Sequence, residues 1–253
     1  MTAATPPEPR RSAADAGASG AGVRAIAGRE VLAGVVPLAV WLALQVVGLL
    51  VGLTLIGRHG GGAVQSLDDS VHDWFVSHRT GLVGVAKLIA KVGDAPELGA
   101  VVVVATIVLA ILWRTRRALL PLAAYLGGEA TVYVVRLVIE RPRPASANFP
   151  GPDAIRGVHE TTWSFPSGHA TAGTAVLVAI FGMLALRRRV GWPWLLALVG
   201  SVVVAGSRLV LGVHWFTDVI TGAVLGAAWG VVVARWLGRD ADPASLPAED
   251  VPV

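Results

Sequence analysis

Six apolar runs, each long enough to cross a bilayer, constrain this chain more than any other feature. A helical span needs about 20 mostly apolar residues. Within lipid every backbone N–H and C=O must find a partner, which for a single run means a helix. The runs are expected at residues 31–56, 95–113, 118–139, 166–186, 192–211 and 214–237. Between the first two lie a glycine-rich turn (57–62), a short amphipathic helix (64–78) and an apolar stretch (82–92). That last stretch carries Lys87 and Lys91 on one face and suits the headgroup region better than the bilayer core. The predicted fold class is therefore all-α: a six-span transmembrane helical bundle with a short amphipathic interfacial helical region between spans one and two. Residues 30–238 make up the membrane domain. Residues 1–29, rich in Ala, Pro, Gly and Arg, and residues 239–253, acidic and Pro-rich, read as disordered tails. The first run is too long for the hydrophobic part of a cleavable signal.

Charged residues make up 15% of the chain, against about a quarter in soluble domains. The net charge of +4 sits beside apolar runs and forms no soluble basic face, which argues against nucleic acid as a partner. With no cysteine, disulfides, thiol catalysis and thiolate metal sites are excluded. Six spans bring both termini to one side. Alternating the spans divides the 21 Lys and Arg into twelve on the side of the termini and nine on the other. Four of the nine, Arg136, Arg141, Arg143 and Arg208, lie in or beside the candidate site. The positive-inside rule then makes the termini cytoplasmic and the site extracytoplasmic, and the simple frame with short loops suggests a bacterial cell membrane.

Three polar stretches meet at that outer face. Span three runs out through R-L-V-I-E-R-P-R-P, with Arg136 and Arg143 seven apart. Two helical turns would put them on one face if the helix persisted, although Pro142 puts its last turn in question. Span four opens F-P-S-G-H, so Ser167, Gly168 and His169 present a hydroxyl and free backbone N–H groups at a helix N-terminus, a ready anion site. Spans five and six join through S-R-L-V-L-G-V-H-W-F-T-D, which brings Arg208, His214 and Asp218 together. Asp218, four residues after His214, can hold one imidazole nitrogen and free the other. Guanidinium groups and N–H donors suit phosphate oxygens and the charge that develops in phosphoryl transfer. His214, oriented by Asp218, can attack phosphorus to form a phosphohistidine. His169 can protonate the departing oxygen. The cations are side chains, so no metal or other cofactor is called for.

Taken together, R-x6-R-P at 136–144, P-S-G-H at 166–169 and S-R-x5-H-x3-D at 207–218 resemble the three-part signature of the type 2 phosphatidic acid phosphatase superfamily. The likeness spans about eighty residues in the family's order. It implies phosphate binding by Arg136, Arg143, Ser167, Gly168 and Arg208, with His169 as acid, His214 as nucleophile and Asp218 as its partner. One departure is Arg136, where the family usually has Lys; charge is kept but reach and shape differ. The implied activity is hydrolysis of a lipid-linked phosphate or diphosphate whose tail stays in the membrane. An undecaprenyl diphosphate-like lipid ranks first, then phosphatidate or phosphatidylglycerophosphate.

Other readings compete. The same motifs hold vanadate in haloperoxidases that resemble the family, and intramembrane arginines and histidines also line anion transporters. His214 with Asp218 could be a structural pair, and Arg136 could snorkel to the interface. Arg141 is expected to flank the site. Asp68, Asp69, His72 and Asp73 are expected to cap a short helix and not to bind metal. Glu129, an acid inside span three, is expected to pair within the bundle, with substrate selection as the minor alternative.

Overall fold

The computed structural model describes residues 34–238; the two expected tails, and residues 30–33 of the expected membrane domain, lie outside the described residues. Six helices there are long and apolar enough to cross a membrane. They are α1 (Gly34–Ile56), α4 (Ala95–Trp113), α5 (Leu120–Arg136), α6 (Gly168–Arg188), α7 (Trp192–Val210) and α8 (Phe216–Leu237). Two shorter helices, α2 (Gln65–His78) and α3 (Val83–Gly93), fill the interval between the first two spans. Among the described residues there is no strand, only an isolated bridge between Asn148 and His159. The body considered below begins at Val40.

α6 is the axis of that body. Its most apolar window is 67% buried, against 11% for the lipid-facing α4, and it packs on α5, α7 and α8. Small residues allow this. α8 carries Gly222, Gly226 and Gly230 four apart, and these lie against the carbonyl oxygens of Ser167, Thr171 and Ala175 on α6. A Cβ at those glycines would come within 2.8, 2.2 and 2.7 Å of the three oxygens, so only glycine lets the backbones approach this closely. The two helices run in the same direction in matched register, and their N-termini sit side by side, where Ser167 N–H donates to the Asp218 carbonyl at 3.1 Å.

Local chemistry sets the ends. Ser167 caps α6 with its side chain, and Pro96, Pro121 and Pro193 stand in the first turns of α4, α5 and α7. α4 and α6 stop at left-handed Arg114 and Arg189. Three expected boundaries shift. α5 ends at Arg136 and not at residue 139, because the chain turns into the proline-rich 141–144 segment. Arg136 and Arg143 therefore do not share a helix face. α6 begins at Gly168, two residues after the expected start. α8 begins at Phe216, so His214 and Trp215 precede the helix. Between the long spans, α3 does more than cover a surface: Ala86 and Ala90 are buried against Val210, Leu211 and Val213, while Val85, Leu88 and Val92 stay exposed.

Candidate active site

Three expected stretches converge at one end of the bundle, where α5 and α7 finish and α6 and α8 start. Arg143 lies across the mouth. Its Nη1 donates to the Val213 carbonyl at 2.9 Å and to His214 Nε2 at 3.0 Å, and its Nε donates to the Thr162 carbonyl at 2.8 Å. Thr162 Oγ1 accepts from both Arg136 Nη1 and Arg143 Nη2 at 3.1 Å. Arg136 Nη2 donates to the Pro166 carbonyl at 2.9 Å, which brings this guanidinium 3.9 Å from where a Gly168 Cβ would stand. Ser167 accepts from Ala170 N–H, and the N–H groups of Gly168 and His169 have no intrahelical acceptor in that first turn. Arg208 is buried and its Nη2 donates to Glu160 Oε1. Ser207, by contrast, turns its hydroxyl back to the Val204 carbonyl at 2.7 Å.

The hydrogen bonds fix the tautomer of His214. Arginine can only donate, so Nε2 carries the lone pair and the proton sits on Nδ1. Nδ1 faces Asp218 Oδ2 at 3.5 Å and Ser164 Oγ at 3.4 Å. His214 is held well below its ordinary pKa, first by burial and then by the charges of Arg143, Arg208 and Arg136, so it is neutral at pH 7. Burial lowers Arg143 to about 10, with Glu160 pulling it back up; it remains a cation. Burial would raise Glu160, but Arg143 and Arg208 outweigh it and hold the carboxylate below its usual range. His169 turns Nε2 to the Ala90 carbonyl at 2.9 Å, with Asp94 Oδ1 at 3.2 Å and Arg208 Nη1 at 3.3 Å. Asp94 is raised by burial, an effect opposed by Arg208.

All eight expected site residues therefore gather at one end of the bundle, and four further residues join them. Arg141, expected only to flank the site, is buried at its base, donating from Nη1 to Asp218 Oδ1 at 2.7 Å and from Nη2 to Asp68 Oδ2 at 2.6 Å. Asp68 does cap a helix, but it is α8 and not its own α2: Oδ1 accepts from Thr217 N–H at 2.9 Å. Ser164 donates to Asp218 Oδ2. Glu160 bridges Arg143 and Arg208, with its Oε2 at 3.3 Å from Arg143. Glu129 makes no hydrogen bond and no ion pair within 4 Å among the described residues, and Arg136, seven residues further along α5, is the charge that acts on it. Glu129 lines a groove of about 860 Å³ that leads from lipid-facing Tyr133 and Leu137 to Arg136 and Arg143. Among the described residues no group of three or more His, Cys, Asp or Glu is arranged to hold a metal.

Comparison with known proteins follows the same lines. The model of one family, described as the PAP2 superfamily, matches residues 117–242. Undecaprenyl-diphosphatase of Sulfolobus acidocaldarius is 34% identical over 127 residues, covering 48% of this chain and 56% of that protein. Phosphatidylglycerophosphatase B of Escherichia coli is 39% identical over 93 residues, covering 36% of this chain and 35% of the relative. Decaprenylphosphoryl-5-phosphoribose phosphatase of Mycobacterium tuberculosis is 29% identical over 155 residues, covering 61% of this chain and 80% of the relative. The chain thus spans about half, or less, of the first two relatives. A crystal structure titled as a transmembrane PAP2 type phosphatidylglycerolphosphate phosphatase from Bacillus subtilis superposes with a TM-score of 0.61 at 28% identity, covering 78% of this chain and 93% of that one.

Proposed function

Because the chain belongs to the PAP2 superfamily, we propose that this integral membrane protein is a metal-independent phosphatase acting on a lipid-linked phosphate or diphosphate through a phosphohistidine. The observation that carries the reading is the Arg143–His214 contact: a neutral imidazole aims its Nε2 lone pair at the guanidinium that would hold the phosphate. Arg136, Arg143, Arg208 and the Gly168 and His169 N–H groups would bind the phosphoryl oxygens, with Ser167 capping that turn. Nε2 of His214 attacks phosphorus, the bond to the leaving oxygen breaks, and His169 supplies that oxygen with a proton. The His214 ring gains positive charge as its nitrogen is phosphorylated, and Asp218 stabilises it through the Nδ1–H. Water then attacks the phosphohistidine, giving up a proton to His169, and inorganic phosphate leaves.

The groove past Tyr133 and Leu137 supports a substrate whose tail stays in lipid. An undecaprenyl diphosphate-like lipid ranks first, since a relative is named for it, and phosphatidylglycerophosphate or phosphatidate follow. The basic end of the bundle, with Arg114, Arg116, Arg117 and Arg187–Arg189, lies opposite the site. That arrangement favours cytoplasmic termini and an extracytoplasmic site.

The test is phosphate release by the purified protein in detergent with excess EDTA. Polyprenyl diphosphate, phosphatidylglycerophosphate and phosphatidate are offered in parallel, with His214→Ala as control. Turnover without metal that vanishes in the variant is expected, together with an acid-labile, base-stable labelled protein from radioactive substrate. No release from any lipid would sink the reading.

A further inference from the structure

The group nearest the catalytic carboxylate is not a histidine. Asp218 divides its two oxygens: Oδ2 takes Ser164 Oγ, Trp215 N–H at 3.0 Å and the His214 side, while Oδ1 takes Arg141 at 2.7 Å. Arg141 in turn spends its other nitrogen on Asp68 at 2.6 Å and on Gln65 Oε1 at 3.0 Å, both from α2. Thr217 closes the ring, accepting from Arg141 at 2.9 Å and donating to Asp68 at 2.6 Å. Arg141, Asp68 and Asp218 are all fully buried.

A buried charge triad is a poor device for stability, since well-packed apolar residues in its place are often neutral or better. This one touches the residue that would sustain charge on His214. Arg141 alone would neutralise Asp218; with Asp68 on its far side the three groups keep one net negative charge. By holding Oδ1, Arg141 also stops the carboxylate from rotating, so Oδ2 stays on the His214 side. We propose that Arg141 and Asp68 are positioning residues for phosphoryl transfer: Arg141 aims Asp218, and Asp68 offsets Arg141 so that Asp218 can stabilise the imidazolium formed at His214. The inference rests on the proposed phosphohistidine chemistry. It makes α2, outside the three motifs, part of the catalytic apparatus.

The test compares wild type with Asp68→Asn, which keeps an oxygen for Thr217 N–H and removes the charge. With the best lipid substrate kcat should fall about ten- to hundredfold, as for other residues that orient a histidine through its partner. KM should stay within about twofold, because Asp68 touches none of the phosphate-binding guanidinium groups. Histidine-selective nitrogen NMR in detergent should show the His214 Nδ1–H proton moving upfield as its hydrogen bond weakens. Should Asp68→Asn not fold, Arg141→Lys serves instead: it keeps the charge but cannot reach both carboxylates, and the same split is expected. Unchanged kcat with an unmoved Nδ1–H would overturn the proposal, as would a rise in KM matching the fall in kcat. If the wild type hydrolyses no lipid, the phosphatase reading fails on its own, and the NMR shift still decides whether Asp68 acts on His214.

Discussion

The contact between α6 and α8 should be the mechanical weak point of the site, and Gly226→Ala tests it. The added Cβ would stand 2.2 Å from the Thr171 carbonyl oxygen and 3.0 Å from its carbon, whereas ordinary contact begins near 3.4 Å. The obstruction is backbone, which cannot rotate away, so the helices must part by about 1 Å locally. Overpacking of this kind costs about 1–3 kcal/mol of stability. The same displacement separates the α6 N-terminus, with Ser167, Gly168 and His169, from the α8 N-terminus, with Asp218 and the preceding His214. A 1 Å misplacement of reacting groups can cost about a hundredfold in rate, or about 2.7 kcal/mol of barrier. Thermal unfolding in detergent and steady-state phosphate release would be measured together. Gly230→Ala, with its Cβ 2.7 Å from the Ala175 oxygen and a further turn from the site, should lose similar stability but less than tenfold in kcat. Gly84→Ala, with nothing within 4 Å, should be harmless or slightly stabilising. A Gly226→Ala protein with wild-type melting and wild-type kcat would refute the argument.

Arg143→Gln should move the acid limb of the pH–rate profile to higher pH while lowering overall activity. After burial, the Arg143 charge is the largest influence holding the His214 pKa down, so its removal favours the protonated, non-nucleophilic ring; an unmoved limb in kcat/KM would contradict this. Glu160→Gln frees two guanidinium groups now bound to a carboxylate, so inorganic phosphate should inhibit about tenfold more strongly, the worth of one charge-assisted hydrogen bond. An inhibition constant equal to or weaker than wild type would count against it. Gln45→Leu removes a buried hydrogen bond to Thr131 at 3.0 Å, but Thr131 still donates to the Gly127 carbonyl. The loss of stability should be about 0.6 kcal/mol, typical of polar contacts between membrane helices, with kcat unchanged; a loss several times larger in thermal unfolding would show that the bond holds α1 in place.

The frame was legible because lipid allows so few solutions: each apolar run became a helix within a few residues of where its hydropathy placed it. The three motifs were legible because alternating spans bring their ends to one face. Their supporting residues were not, since the contacts join positions 17 to 149 apart in sequence and no short motif announces them. Asp68 read as a helix cap from its neighbours alone. Its phase on α2 held more: Gln65, Asp68, His72 and Phe75 recur at helical spacing, and Phe75 packs inward against the buried cluster of Ala170, Ala205, Leu209 and Val219, so the same face takes Asp68 to the core. The glycines at 222, 226 and 230 carry a further signal, since small residues four apart on an apolar helix mark a close-packing seam.

The His214–Asp218 pair shows how a correct contact can follow from an incomplete reason. A spacing of four suggested a shared helix face, yet His214 lies before α8 and only Asp218 is inside it. What brings them together is the start of the helix: Asp218, in the first turn, accepts from Trp215 N–H and so draws the residues preceding α8 over its own carboxylate. The site therefore depends on how α8 begins, and that beginning is fixed from outside the helix. Asp68 caps Thr217, Arg141 and Ser164 hold the carboxylate, and Ser167 N–H ties the Asp218 carbonyl to α6. These partners come from three different segments, so the His214–Asp218 pair is a product of the whole bundle end, assembled only when α2, the 141–164 segment and α6 are all in place.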